Sequence, residues 1–499
     1  MDETAETPLA KGRRRRAFSL TDLVAERRRA IISFGVGLIV LLLIQFPVVE
    51  QSVLGAPDRQ MMETAFRLRA DVTAGHADPV LFLDIDDRTL SHLAPPSAGF
   101  APPLATTPRA AIADLLNFVR TAPPASLPRV VIVDVDISQP ASDGPAGIAR
   151  LQSALSDWSA SKTAPPLIIS RQPYQAAALG LTDRSGLALP DTPYDAIVQP
   201  ASNIYWAETE VLGDLNGIIR EFLPYQCVTT SRDPAGGHQP LYSAALLAYM
   251  FTERDQATLA RAHARHWMSE AAARCQSKPS IPLRHGERID FHFSLDLGFL
   301  GRVWPDLDPR WPGFARCGET DAAIFRRLSV IDVLDAVHAD PDASRSLLCQ
   351  HLVIIGGTNE SSADFVQTPD NEMNGSVVLA NAVRGLQLTH GGLRPIPLVF
   401  QILGLLIVSL SISACALATE RARHHYRQLR RTTRKHSLAH RLVIIPLNPL
   451  IVNGIIAVTA HCAGIVLLMV SLNFGLWGFL SAPAFAAAIT ETVQEFADG

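Results

Sequence analysis

The sequence predicts an α/β protein in which a largely parallel sheet flanked by helices forms one large domain, joined to about four transmembrane α-helices. Two observations predict this class. In the middle of the 499-residue chain, short apolar runs rich in Val and Ile alternate with amphipathic stretches. Near both ends of the chain stand longer apolar runs that carry no charge.

The first two apolar runs of the large domain are VLFLDI (80–85) and VVIVDV (130–135). Between them, the segment 108–120 places Ile112, Leu116 and Val119 on one helical face. Continuous apolar strands separated by amphipathic helices are typical of a parallel sheet covered on both faces. Further strands are predicted at 167–170, 204–208, 289–293 and 352–355, and buried helices at 241–251 and 378–386.

The first long apolar run has 20 residues, enough to cross a hydrocarbon core of about 30 Å once. A cleaved signal peptide is the alternative, but its apolar core would be shorter, at roughly 7–15 residues. Eight basic residues precede this run and eight more lie in a loop near the other end; the positive-inside rule places both clusters in the cytoplasm. The predicted order is a cytoplasmic basic tail (1–29), a transmembrane helix (30–49), an extracytoplasmic domain (50–394), a transmembrane helix (395–418), a cytoplasmic basic loop (419–441), two transmembrane helices (450–472 and 474–490) and a cytoplasmic tail (491–499).

Charge is distributed unevenly along the chain. The formal net charge is −4, and 16 of the 44 Lys and Arg residues lie in the basic tail and the basic loop, which leaves the large domain acidic. An acidic domain argues against nucleic acid as its ligand. In the basic loop, arginines at helical spacing predict a cationic face for an acidic cytoplasmic partner or for anionic lipid headgroups, unless they serve only to fix the topology. These arginines are Arg423, Arg427, Arg430, Arg431 and Arg434.

Four of the six cysteines lie in the large domain, namely Cys227, Cys275, Cys317 and Cys349. An oxidising compartment would allow them to form disulfides, and four cysteines permit three pairings. We expect two disulfides, with buried free thiols as the alternative. Their spacing does not suggest a zinc site.

Polar residues follow three of the predicted strands. Because the carboxyl ends of parallel strands meet at one edge of a sheet, where ligands of open α/β sheets bind, we expect these residues to converge on a ligand site. The predicted ligand-binding residues are Asp84, Asp86, Asp87, Asp136, Gly356, Gly357, Thr358 and Asp364. Paired carboxylates can also coordinate Mg²⁺ or Ca²⁺, act as acid and base, or simply cap helices and form turns.

The motifs of common enzymes are not found in the sequence. It has no G-x-S-x-G nucleophile elbow and no H-E-x-x-H metal motif, and the Gly356-Gly357-Thr358 turn lacks the lysine and the spacing of a phosphate-binding loop. We therefore expect a protein that is not an enzyme and that needs no cofactor or metal.

Several motifs follow one another along the chain. They are Asp58, VLFLDIDDRTL (80–90), VVIVDVDISQP (130–140) with Asp143, GDLNGIIREFLP (213–224), HLVIIGGTNESSADFVQTP (351–369) and MNGSVVLANAVRGL (373–386). Taken in this order, the motifs resemble the second type of CHASE domain, the cyclases/histidine-kinases-associated sensory extracellular domain of bacterial receptors. The resemblance spans nearly all of residues 50–394 and extends to the arrangement of membrane helices.

This resemblance implies a multi-pass protein of the bacterial inner membrane, whose large periplasmic domain senses an extracytoplasmic ligand. Family members pass the signal to a cytoplasmic output domain. Only nine residues follow the last predicted span, so we expect the output to be a separate cytoplasmic protein acting in trans. The alternative is a structural or assembly subunit of a cell-envelope complex that binds protein through the outer domain. Homo-oligomerisation is left open.

Overall fold

The structure is a computed structural model that describes residues 31–32, 34–43, 79–93, 107–138, 143–175, 186–209, 212–213, 219–230, 237–252, 268–276, 289–290, 325–341, 348, 352–358, 365–367, 372–389, 394–395, 398–406 and 476–477. The chain divides into two compact units. The larger unit comprises Met62–Pro395 and Leu468–Trp477. The smaller unit comprises Met1–Met61, Ile396–Leu467 and Gly478–Gly499.

The larger unit contains the labelled strands and helices. The strands are β1 (Val80–Asp84), β2 (Val130–Asp134), β3 (Leu167–Ser170), β4 (Tyr174–Gln175), β5 (Leu187–Leu189), β6 (Ile204–Ala207), β7 (Leu212–Gly213), β8 (Ile219–Phe222), β9 (Tyr225–Thr230), β10 (Gln239–Tyr242), β11 (Ile289–Asp290), β12 (Phe325–Ser329), β13 (Leu352–Gly356), β14 (Phe365–Gln367), β15 (Glu372–Asn374), β16 (Arg394–Pro395) and β17 (Leu476–Trp477). The helices are α1 (Asp87–Leu93), α2 (Arg109–Arg120), α3 (Gly144–Ala160), α4 (Asp195–Val198), α5 (Ala244–Thr252), α6 (Val330–Ala339) and α7 (Gly375–Thr389).

The central sheet has six strands in the order β12-β1-β13-β2-β3-β6, and every neighbouring pair is parallel. Its four inner strands are buried along almost their whole length and consist mainly of Val, Ile and Leu. Such strands are stable only when both faces of the sheet are covered. The prediction of a largely parallel α/β sheet flanked by helices is confirmed.

Alternate residues of each strand enter two separate hydrophobic cores. Leu81 and Leu83 of β1 pack in the core that contains α1, α2, α3, α4 and α6. Val80 and Phe82 of the same strand pack in the core that contains α5 and α7. The sheet is therefore the middle layer of three, and α5 and α7 form the layer on one face.

Smaller sheets extend this unit. One has the order β10-β9-β5-β4, another has the order β11-β8-β7, and β14 and β15 form an antiparallel hairpin between β13 and α7. A disulfide joins Cys227 on β9 to Cys275 in the helical residues 268–276, with a Cα–Cα distance of 5.2 Å. One disulfide of the predicted set is thus present, whereas Cys317 and Cys349 lie outside the described residues.

Helical residues 34–43 and 398–406 coincide with parts of the first two predicted spans. Both helical segments expose large apolar side chains, including Ile39, Leu42, Val399 and Phe400. Within the described part of the chain, every helix falls short of the length or apolarity needed to cross a bilayer. Residue 395 and residues 476–477, which the sequence predicts to be membrane helix, lie instead in the paired strands β16 and β17. The third predicted span and the other residues of the fourth lie outside the described residues, so the predicted domain boundaries remain predictions.

Two sequence-based predictions of secondary structure need correction. The predicted helix at 241–251 is instead the end of β10 followed by α5, because the Ser243 hydroxyl accepts a hydrogen bond from the Leu246 N–H at 3.0 Å and so caps the helix. The predicted strand at 289–293 is the short β11, which pairs antiparallel with β8 and lies outside the parallel sheet.

Candidate functional site

Four residues at the carboxyl ends of adjacent strands form a row across β12, β1, β13 and β2 of the central sheet. In the pairing register, Ser329 is opposite Asp84, Asp84 is opposite Gly356, and Gly356 is opposite Asp134. Residues at one register of a parallel sheet project to the same face, which for Asp84, Gly356 and Asp134 is the face covered by α5 and α7. The Ser329 hydroxyl, at the end of β12, instead contacts Asp86 and Thr89. Two strand spacings separate the Cα atoms of Asp84 and Asp134 by about 10 Å. We call Ser329, Asp84, Gly356 and Asp134 the polar row.

The polar row lies at the carboxyl ends of strands whose following helices pack on different faces of the sheet. The helices that follow β1 and β2, namely α2 and α3, pack on one face. Helix α7, which follows β13, packs on the opposite face. In open α/β sheets, ligands bind outside the carboxyl ends of the strands.

Asp84 is buried and its carboxylate accepts several hydrogen bonds from the protein itself. The Thr358 N–H donates to Oδ1 at 3.0 Å, and the Thr358 hydroxyl is 2.7 Å from Oδ2. Arg327 donates to Oδ2 through Nε at 2.7 Å and through Nη2 at 2.6 Å. The Nη2 group of Arg327 also donates to the Thr358 hydroxyl at 2.6 Å. Asp84 therefore connects β1, β12 and the residue pair after β13.

Opposing influences act on the pKa of Asp84. Burial has the largest effect and raises the pKa of this carboxyl above its ordinary value. The charge of Arg327 and the hydrogen bonds from Thr358 and Arg327 lower the pKa, because they favour the ionised form. The carboxylate is thus held in place by a cation that is itself partly exposed.

Gly356 allows α7 to approach the sheet closely. A Cβ atom at residue 356 would lie 2.1 Å from the Ser376 hydroxyl oxygen, far inside van der Waals contact. The neighbouring Asn374 donates from Nδ2 to the Gly357 carbonyl at 2.7 Å, and its Oδ1 accepts from the Ser376 N–H at 3.0 Å. Asn374 thereby caps α7 and fixes its first turn to the end of β13.

Asp134 contacts the same turn of α7 from the neighbouring strand. Its Oδ2 accepts a hydrogen bond from the Ser376 hydroxyl at 2.7 Å. Thr209 also hydrogen-bonds to this carboxyl, and the Thr209 hydroxyl is 2.8 Å from that of Ser170. Burial raises the pKa of Asp134 above its ordinary value, and the hydrogen bonds from Ser376 and Thr209 act in the opposite direction.

Asp86 has a structural role at the start of α1. Its Oδ1 accepts hydrogen bonds from the Thr89 N–H at 2.8 Å, from the Thr89 hydroxyl at 2.7 Å and from the Ser329 hydroxyl at 3.0 Å. An aspartate that binds the N–H group three residues later is a helix N-cap. Asp87 is exposed in the first helical turn, where a negative charge is favoured by the helix dipole.

The aspartates after β2 form a turn and a helix cap. Asp136 accepts from the N–H and hydroxyl groups of Ser138 at 2.9 and 2.6 Å, and its carbonyl accepts from the buried Arg109 at 3.3 Å. Asp143 accepts from the Ala110 N–H at 2.8 Å, so it caps α2 from another segment. The Asp136 carbonyl and the Asp143 carboxylate thus both contact the amino-terminal end of α2.

A second buried arginine follows β3. Arg171 forms an ion pair with Asp195 through Nη1 at 2.7 Å, donates to the Pro190 carbonyl and lies over the Trp206 ring at 4.8 Å. Burial lowers the pKa of Arg171, and the charge of Asp195 opposes that change. We call the edge formed by the carboxyl ends of the parallel strands the carboxyl edge. Two of its charged pairs, Arg327 with Asp84 and Arg171 with Asp195, are ion pairs within the protein.

Comparison with known protein families identifies the family of the large domain. The family model of the CHASE2 domain matches residues 36–417, well over half of the chain. The chain belongs to the CHASE2 domain family. This agrees with the resemblance drawn from the ordered motifs, and it makes the large domain a member of a family of extracellular sensory domains. No curated protein and no solved structure shows significant similarity to the chain.

In this CHASE2 domain, the sequence-predicted site residues fall into two groups. Asp84, Gly356, Gly357 and Thr358 come together in the middle of the carboxyl edge, whereas Asp86, Asp87 and Asp136 lie in caps and turns beside it. Several predicted residues lie outside the described part of the chain, namely Asp364, Arg423, Arg427, Arg430, Arg431 and Arg434.

Some residues of the edge escaped prediction. Arg327 contacts the predicted Asp84 from 243 residues away in sequence, and Ser376 contacts Asp134 from 242 residues away. Asp134 lies in the VVIVDV run (130–135), but its position beside Gly356 follows only from the pairing of β2 with β13. Among the described residues, no group of three or more His, Cys, Asp or Glu side chains is arranged to hold a metal ion.

Proposed function

We propose that this chain is a multi-pass sensor of the bacterial inner membrane, whose periplasmic CHASE2 domain binds an extracytoplasmic ligand and transmits a signal to a separate cytoplasmic partner. Membership of the CHASE2 family supports the sensory role. The observation that carries the proposal is the polar row, which lies at the usual ligand position of an α/β sheet and contacts the first turn of α7.

Helix α7 is the last helix before the predicted second span in the sequence. It ends at Thr389, and the chain continues through β16 at 394–395 to the helical residues 398–406. A change at the first turn of α7 would therefore act on the helix nearest in sequence to this apolar segment. This connection supports transmission from the carboxyl edge toward the membrane.

The pairing of β16 with β17 supports the membrane arrangement. Arg394 pairs with Leu476, and both strands belong to the unit that contains the sheet. In the predicted topology, β16 lies at the start of the second span (395–418) and β17 lies at the start of the fourth span (474–490). Both would then lie on the outer side of the membrane, in agreement with the basic clusters on the inner side.

We also propose that the domain binds its ligand without catalysing a reaction. Asp84, Asp86 and Asp136 accept hydrogen bonds from neighbouring side chains and N–H groups, so each already serves a structural purpose. A general acid or base needs a lone pair or proton directed at a substrate. The arginines of the basic loop are proposed to contact the cytoplasmic partner.

A thermal-unfolding screen tests this proposal. The full chain in lipid nanodiscs would be scanned against a defined library of sugars, amino acids, polyamines and carboxylic acids. We expect at least one compound to raise Tm, and its effect to be lost in Thr358→Val while it persists in Asp157→Asn, a matched change at an exposed ion pair on α3. Two results together would contradict the proposal: no compound in the library raises Tm, and the chain is purified from detergent-solubilised membranes in a stoichiometric complex with other envelope proteins. They would favour the alternative, an assembly subunit of that complex.

A further inference from the structure

Arg327 has a donor group that its contacts within the protein do not use. Its Nε and Nη2 groups bind the Asp84 carboxylate at 2.7 and 2.6 Å, and Nη2 also donates to the Thr358 hydroxyl. In the described part of the chain, Nη1 takes part in no hydrogen bond, and it is not among the buried polar atoms. The Arg327 side chain is 25% exposed, whereas that of Asp84 is 2% exposed. The guanidinium is therefore fixed on one side and accessible at Nη1.

A guanidinium held in this way is a preorganised partner for a carboxylate. The planar N–H groups of arginine match the geometry of a carboxylate, and hydrogen bonds between two charged groups are stronger than those between neutral ones. Because Asp84 and Thr358 already hold the Arg327 side chain, little rotamer entropy is lost when a ligand binds. The site therefore favours an anionic group at the open end of the guanidinium.

The surrounding charges favour an anion that carries a single charge. Asp84 lies against Arg327, Asp86 follows two residues later, and Asp87 is exposed beside it. These carboxylates repel a multiply charged group, such as phosphate, more strongly than a group with one charge. One carboxylate is thus the anionic group that this end of the sheet accommodates best.

Phe365 supplies an apolar surface at the same edge. It is 46% exposed, and among the side chains of the larger unit whose exposure is described it is the large apolar one that is exposed. Strand β14 places Phe365 opposite Asn374, which donates a hydrogen bond to the Gly357 carbonyl. The next residue after Gly357 is Thr358, which binds Arg327. The exposed aromatic ring and the exposed guanidinium are therefore linked through neighbouring residues at the end of β13.

We propose that the carboxyl edge binds a small organic anion that combines one carboxylate group with an aromatic ring. The carboxylate accepts hydrogen bonds from Nη1 of Arg327, and the ring packs against Phe365. Covering the Phe365 ring removes apolar surface from water and adds to the binding free energy. This inference rests on the proposed function, because it names the class of ligand that the sensory domain takes at that site.

Two other classes of ligand fit the same residues less well. A polyamine would bring positive charge against Arg327. A sugar requires several unused hydrogen-bonding groups, whereas the Asp84 oxygens, the Thr358 hydroxyl and Oδ1 of Asp86 are already bonded within the protein. Neither class would use the exposed Phe365 ring together with Nη1.

Ligand-observed NMR on the full chain in lipid nanodiscs tests the inference, with phenylacetate as the probe and empty nanodiscs as the correction for partitioning into lipid. Three comparison compounds each change one group: phenylacetamide has no charge, benzylamine has the opposite charge, and acetate has no ring. We expect phenylacetate to bind at least about tenfold more tightly than each of them, since each lacks either the charge-assisted hydrogen bonds or the apolar contact.

Two variants locate the binding site. Arg327→Lys keeps a positive charge beside Asp84 but lacks the Nη1 group, and Phe365→Ala removes the exposed ring. Each should weaken phenylacetate binding by at least about fivefold. The matched controls should bind like the wild type: Arg120→Lys changes an ion-paired arginine of α2 that is 27% exposed, and Gln367→Ala changes an exposed residue of β14. Thermal unfolding checks that each variant is folded, and Phe365→Ala alone decides the test if Arg327→Lys is not.

The inference is overturned if phenylacetate binds no more tightly than phenylacetamide, or if a folded site variant binds phenylacetate like the wild type. Failure of the proposed function would look different. If a sugar or polyamine raises Tm through Thr358 and phenylacetate does not bind, the domain is still a sensor and only the ligand class is wrong. If phenylacetate binds as expected but the chain is purified in a stoichiometric envelope complex without a signalling partner, the binding site stands and the proposed function fails.

Discussion

Gly356 shows how a single residue can set the distance between a helix and a sheet. Its lack of a side chain leaves space for the Ser376 hydroxyl at the carboxyl end of β13, and a Cβ atom there would also lie 3.3 Å from the Phe82 ring. The requirement for glycine here comes from close approach and not from an unusual backbone conformation. The sequence shows the glycine, but the helix that needs it comes later in the chain.

We expect Gly356→Ala to lower the free energy of unfolding by about 1–3 kcal/mol, because it forces Ser376 and α7 away from the sheet. Removing the hydroxyl should relieve part of this strain, so the double variant Gly356→Ala/Ser376→Ala should lose less stability than the sum of the two single changes. Chemical denaturation measures all three. Gly237→Ala is the control, because a Cβ atom at residue 237 has nothing within 4 Å. If the stability loss of the double variant equalled the sum of the losses in the two single variants, the close contact between residue 356 and Ser376 would be contradicted.

The ion pair of Asp84 gives a second prediction at this scale. Arg327→Met leaves a buried carboxylate without its cation and should cost on the order of 3 kcal/mol near neutral pH. Because loss of Arg327 raises the pKa of Asp84 further, Asp84 would be neutral over a wider range, and the cost should shrink as pH falls through that raised pKa.

Denaturation of wild type and Arg327→Met at pH 5 and pH 8 measures this difference. Arg88→Met is the matched control, because Arg88 forms an ion pair with Asp332 while its side chain is 61% exposed, and it should cost less than about 1 kcal/mol. An equal cost for Arg327→Met at both pH values would show that Asp84 does not titrate as described.

At the scale of elements, the strands with continuous apolar sequence were predicted and those with mixed sequence were not. The strands β1, β2, β3 and β13 carry their signal in their own residues, since each is buried on both faces. The edge strand β12 has the sequence FRRLS, in which two arginines hide the periodicity. Its place in the sheet depends on pairing with β1, and the residues of β12 alone carry no signal for that pairing.

The same reasoning explains how much of the candidate site could be predicted. Polar residues directly after buried strands indicated the carboxyl edge, and Asp84, Gly356 and Thr358 do meet there. The partners that decide what each aspartate does are distant in sequence, so a helix cap such as Asp86 and an ion-paired residue such as Asp84 look alike in the sequence.

The disulfide supplies a prediction about the smaller sheet. Peptide mapping without reduction should recover Cys227 linked to Cys275, and linkage of either cysteine to Cys317 or Cys349 would contradict the structure. Replacing Cys275 with Ser should lower the free energy of unfolding by about 2–4 kcal/mol, since the disulfide closes a loop with a sequence separation of 48. Reduction of the wild type should have a similar effect, whereas Cys275→Ser should be insensitive to reductant at this site.

At the scale of the whole molecule, the proposed topology rests on charge, hydropathy and the pairing of β16 with β17. A truncation that fuses alkaline phosphatase after residue 394 should be active, because that point would be periplasmic. A fusion after residue 441 should have little activity, since it would follow the cytoplasmic basic loop. A fluorescent protein that folds only in the cytoplasm provides the matched control, with the opposite pattern. High phosphatase activity at both points would rule out the proposed arrangement.

The strand order of the central sheet also has a consequence for biosynthesis. The first strand, β1, lies between β12 and β13, and Asp84 bonds to residues made 243 and 274 positions later. At roughly 5–20 residues per second, β1 is without either of its neighbours for about 12–50 seconds after it is made. Its apolar residues must be kept from aggregating during that time, and nascent chains that stop before residue 325 cannot complete the sheet. The domain therefore assembles late, after most of it has been synthesised.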